Sequence, residues 1–228
     1  MNIGFYGHSS CSYRSEDSLI DIVAAKTKSN IVNIGVRQGS EERVLWELKK
    51  TKNLDLAIIF HCPSNFFFLP DCDRDFKLDS KFTNKAEYIW NIMDLKEMTD
   101  KNAFHQEHHR RFVAKFKSIT KFVSAMNVFR TYFYDPDLVM NRYYGSLIQI
   151  DQYLLAKKIN AIHVVSNRLP IPTWFKFQSG IVNEEIASLT EEYKSSTSDW
   201  FVNGVTADGN KIIADKLCQL IIDNKFLK

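Results

Sequence analysis

Glycine and proline are scarce in this chain, at 8 and 5 of 228 residues. That scarcity excludes collagen-like and Pro/Gly-rich disordered architectures. Cysteine is sparse too. Cys11, Cys62, Cys72 and Cys218 form no CxxC pair, and Cys62 with Cys72 does not have metal-finger spacing. A disulfide framework is therefore not expected, and the four read as free thiols in a reducing compartment. No run is apolar for long enough to cross a bilayer. The opening MNIGFYG turns polar at once, so no secretory leader is expected. An excess of charge of either sign is lacking, since 30 Lys and Arg against 27 Asp and Glu leave a formal net charge of +3. That is too mild to imply a nucleic-acid partner. No internal repeat is visible. These absences predict a cytoplasmic protein with no membrane partner.

The composition, 45% hydrophobic and 25% charged, supports a substantial core. A single α/β domain over 1–228 is expected. Residues 2–6 read as a strand that stops at Gly7. Ser15 reads as the cap of a helix over 16–28, with Leu19, Ile20, Ile22 and Val23 inward. NIVNIG (30–35) reads as a second strand. Ser40 caps a helix with acids first (Glu41, Glu42) and lysines last (Lys49, Lys50), as the helix dipole favours. LDLAIIF (54–60) is continuously apolar, like a buried parallel strand. Alternating strands and helices predict a parallel sheet between helices. Ligands then sit at the carboxyl ends of the strands, so the loops opening at Gly7, Gly35 and His61 are expected on one edge.

Farther on, 81–135 reads as mostly helical and rich in aromatics. A helix over 135–160 and a fourth strand over 161–166 follow. After a Pro-rich loop come a helix near 182–194 and a last helix from about Ala207, with Ile212, Ile213, Leu217, Leu220 and Ile221 on one face.

Four stretches carry a family resemblance. YGHSSCS (6–12) is similar to the first block of the SGNH (GDSL-like) hydrolases. VNIGVRQGS (32–40) resembles their second block and DLAIIFHCPSN (55–65) their third. SDWFVNGVTADGNKIIADKL (198–217) resembles the last. The resemblance implies a three-layer, flavodoxin-like sandwich with a helical insertion at about 81–135. It also implies a serine esterase that uses no cofactor. Ser9 would be the nucleophile. Its own N–H, the N–H of Gly39 and the side-chain amide of Asn65 would form the oxyanion hole. Ser64 or His61 could fill the same space as Asn65.

Two positions depart from the family pattern. His8 stands where the family has Asp. Gly204 stands where it has the general-base histidine, although Asp199 fits the acidic partner. A serine without a base is a weak nucleophile near neutral pH. Of the six histidines, His61 is the best substitute because it begins the third loop. His163 lies inside a strand and reads as a hydrogen-bonded core residue.

His105, His108 and His109 share a helical spacing but lack a further ligand, so no metal is expected. Beyond them, Phe112, Phe116, Ile119, Phe122 and Val123 form an apolar stripe. Arg110, Arg111, Lys115, Lys117 and Lys121 surround it, as in an amphipathic helix packed on the domain, with a lid over the site, a partner surface or contact with an acidic polymer as the alternatives. Two functional classes remain. One is a weak esterase on a small-molecule or carbohydrate ester. The other is a pseudoenzyme that kept the cleft and binds a ligand or partner.

Overall fold

The computed structural model describes residues 1–7, 18–35, 40–62, 66–68, 89–91, 128, 132, 135–167, 169–193 and 205–226. In chain order the elements are β1 (Asn2–Gly7), α1 (Leu19–Thr27), β2 (Asn30–Asn33), α2 (Glu41–Lys50), β3 (Leu56–Phe60), β4 (Phe66–Phe68) and β5 (Ile89–Asn91). Then come α3 (Pro136–Lys157), β6 (Asn160–Val164), β7 (Gly180–Asn183), α4 (Glu184–Glu192) and α5 (Ala207–Asp223). The main sheet has five strands in the order β2-β1-β3-β6-β7, and every pairing is parallel. This is a three-layer α/β sandwich with flavodoxin-like strand order.

Strand alternation builds the two outer layers. Ile3 and Phe5 of β1, Ile58 and Phe60 of β3, and Ile162 and Val164 of β6 share one core with α1, α4 and α5. Tyr6, Ala57, Ile59 and Ala161 point the other way and pack with Val44 and Leu48 of α2 and Ile150 and Leu154 of α3. Each fully buried aliphatic side chain contributes roughly 1.5–3 kcal/mol. The central strands are apolar on both faces because helices cover both.

Local chemistry sets most element ends. Ser40 caps α2 by accepting from the Arg43 N–H. Asp135 caps α3 by accepting from the Asp137 and Leu138 N–H groups, with Pro136 in the first turn. Gly7 ends β1 at φ +100, where a Cβ would stand 1.9 Å from the Phe60 carbonyl oxygen. The apolar run of β1 therefore stops at a position that only glycine fits without strain.

Several expectations are corrected. The cap of α1 is Ser18, whose hydroxyl accepts from the Asp21 N–H, so the helix starts three residues later than 16. The expected helix near 182–194 is preceded by a strand that sequence reading missed. Gly180–Asn183 pairs with β6, and Asn183 then caps α4 by accepting from the Ile186 N–H. In the stretch expected to be mostly helical, Ile89–Asn91 is a strand paired antiparallel with Phe66–Phe68. Ile212 is 39% exposed rather than inward, whereas Ile213, Leu217 and Ile221 are buried. Most of the aromatic stretch 81–135, with His105, His108, His109 and the basic stripe, lies outside the described residues. Among the described residues, no helix is long and apolar enough to cross a membrane.

Candidate functional site

The register Gly7↔Phe60 puts the ends of β1 and β3 side by side, with β2 on the other flank of β1. The loops that open after Gly7, Gly35 and Phe60 thus leave the carboxyl ends of three neighbouring parallel strands. Strand order reverses there, and open α/β sheets bind ligands at such a point. Ser9, Gly39, Asn65 and Asp199 lie outside the described residues, as do His8 and Gly204. His61 is described, and it follows β3 directly.

Its side chain is fully buried. Nδ1 of His61 lies 3.1 Å from both carboxylate oxygens of Glu41. Nε2 lies 2.9 Å from Nδ1 of His163. Nε2 of His163 lies 3.0 Å from the hydroxyl of Ser179. Four side chains from α2, the β3 end, β6 and the β7 entry thus form one buried chain, Glu41–His61–His163–Ser179.

Each link has a local origin. Glu41 is the first residue of α2, where the helix dipole favours a carboxylate. It also accepts the Cys62 N–H at 2.7 Å, which ties the start of the third loop to the start of the second helix. His163 alternates with Ile162 and Val164, so it points away from their core and toward the α2/α3 layer. The Phe177 ring stacks on it at 4.0 Å and tilts against His61 at 4.8 Å. Asp151 of α3 accepts the N–H groups of Gln178 and Ser179 at 3.0 and 2.9 Å, which fixes the serine. Tyr143 of α3 is buried near Glu41. Burial first and the Glu41 carboxylate second push its phenol pKa up, and its hydroxyl has no partner among the described residues.

A carboxylate only accepts, so His61 donates from Nδ1 and presents a lone pair at Nε2. His163 then donates from Nδ1 and accepts from the Ser179 hydroxyl at Nε2. All the bonds are satisfied with both imidazoles neutral. Burial, and next the neighbouring His61, hold the His163 pKa well below its ordinary value of 6.5.

A pH dependence follows. The folded chain keeps His163 neutral while the unfolded chain protonates it. Its contribution to stability is therefore full above about pH 6.5. It falls as the pH drops below that value, by up to ~1.4 kcal/mol per unit. Urea denaturation at pH 7.5 and 5.5 should show a larger acid loss in wild type than in His163→Gln.

Both ring nitrogens of His61 are engaged by buried partners, so in this arrangement neither is presented to another hydroxyl. Sequence reading expected His61 at the end of the third strand, where it stands, and His163 as a hydrogen-bonded core residue, as it is. It took Glu41 for a helix-dipole acid and did not single out Ser179. The usable signal was a histidine inside a buried apolar strand, which demands a polar partner. Between α2 and α3 a separate open groove of about 470 Å³ is lined in part by Glu42, Arg142 and Ser146. It includes no member of the buried chain. No group of three His, Cys, Asp or Glu side chains among the described residues could hold a metal. No family model, curated protein or solved structure matches this chain.

Proposed function

We propose that the chain is a divergent SGNH-type serine esterase of low turnover, acting on a small-molecule or carbohydrate ester. Ser9 is the nucleophile in this reading, and the Gly39 N–H and Asn65 amide serve the oxyanion. One observation carries it. The β2-β1-β3 order brings the strand ends that lead into the three motif loops to one carboxyl edge. The position of Val205 supports the fourth block. It is buried in the same core as Phe60 and Val164, the last residues of β3 and β6, and Gly204 is its neighbour in the chain.

The low turnover follows from Gly204 at the base position and from the engagement of both His61 nitrogens. Those two features also favour the second reading, a binding module that has lost the chemistry. Hydrolysis of p-nitrophenyl acetate separates the two. A slow rate with a part that is lost in Ser9→Ala supports the esterase. An oxyanion hole and binding alone can leave roughly 10³–10⁴-fold over water. A rate undiminished in Ser9→Ala overturns the nucleophile assignment. No protein-dependent rate at all favours the binding module.

A further inference from the structure

We infer that Ser179 is a second, activated serine, served by the Glu41–His61–His163 relay and reactive toward small acyl or phosphonyl electrophiles that carry a good leaving group. The inference rests on the described geometry alone and does not depend on the role of Ser9.

An activated serine needs a base within hydrogen-bond reach and a third group that orients the base. Ser179 has the base at 3.0 Å, and the base is oriented through a second imidazole by a buried carboxylate. The direction of the chain is the productive one, because the hydroxyl donates toward the relay. The doubled histidine has a physical role. His163 is fully buried and resists carrying charge. When Ser179 attacks, its proton passes to Nε2 of His163 while the Nδ1 proton of His163 passes to Nε2 of His61. The positive charge then rests on His61, against the Glu41 carboxylate, and His163 ends neutral in its other tautomer.

The approach to Ser179 is narrow. Ser179 keeps 9% of its surface, and its neighbours Gln178 and Gly180 are exposed. The surroundings also limit the chemistry. The backbone N–H groups of Gln178 and Ser179 are both held by Asp151, so neither is available to an oxyanion. The serine is thereby restricted to electrophiles whose leaving group departs readily.

A fluorophosphonate probe tests this on the full-length protein. Ser179 Oγ bonds to phosphorus, fluoride leaves with the P–F electron pair, and the serine proton enters the relay. Trypsin separates the candidates, because Ser9 lies in the peptide 1–14 and Ser179 in 177–194. Fragment spectra distinguish Ser179 from Ser188. The expected result is a phosphonyl adduct on Ser179 in wild type. Its formation should slow roughly 10²–10⁴-fold in Glu41→Gln, with the circular dichroism spectrum unchanged. If that variant does not fold, the wild-type adduct and its loss in Ser179→Ala decide the matter. Absence of any adduct on 177–194 overturns the proposal, as does labelling of folded Glu41→Gln at the wild-type rate. An adduct on Ser9 alone overturns it while leaving the esterase reading intact.

Discussion

Replacing Gly204 by histidine should raise p-nitrophenyl acetate hydrolysis by about 10²–10⁴-fold, the usual contribution of general-base assistance. The gain should vanish in the Ser9→Ala double variant. The resemblance to the SGNH pattern implies that Gly204 takes the place of the missing base and that Asp199 is its acidic partner. The described neighbourhood supports the placement. Val205 is buried in the core that includes the last residues of β3 and β6. Thr206 then caps α5 by accepting from the Gly209 N–H, which fixes the chain just beyond the substituted position. Initial rates over a substrate series, with kcat and KM separated, are the measurement. A true base raises kcat with little change in KM. A folded Gly204→His protein with unchanged kcat would rule out a simply lost base and favour the binding module. An equal gain in the double variant would mean that the new imidazole acts without Ser9.

Glu41→Ala should destabilise the fold by roughly 2–6 kcal/mol, while Glu42→Ala, one residue away, should cost under ~1 kcal/mol. The contrast comes from burial. The Glu41 carboxylate accepts from the Cys62 N–H and from the His61 ring. Its loss orphans two buried donors, at about 1–3 kcal/mol each. It also unlocks the start of the third loop from α2. Glu42 instead pairs with Arg142, whose side chain is 48% exposed, and exposed pairs contribute little. Urea unfolding followed by tryptophan fluorescence would give both values. Equal small losses would show that the carboxylate is not a linchpin of the buried chain. Glu41→Gln keeps one acceptor oxygen and should fall between the two.

The sequence by itself determined the layering. Continuous apolar runs at Ile3–Tyr6 and Leu56–Phe60 require cover on both faces, which only flanking helices provide. Caps at Ser40 and Asp135 are local, because a side-chain oxygen and an N–H two or three residues on suffice. The halt of β1 at Gly7 was legible for the same reason, although its cause, contact with the Phe60 carbonyl, lies on another strand. What tertiary structure alone decided was everything that depends on partners distant in sequence. Gly180–Asn183 is too short and too exposed to announce a strand. It becomes one because β6 offers a ladder. Ile212 faces out because the phase of α5 is set by packing on α1 and α4, not by its own run of isoleucines. The relay is the strongest case. His61 and His163 stand 102 positions apart, and Ser179 carries no local mark. Their meeting follows from β3 and β6 being neighbours in register, with Ile59 opposite His163, so that the residue two beyond Ile59 returns to the same face. Side-chain alternation makes that face readable, but only the pairing of the strands determines which polar groups share it.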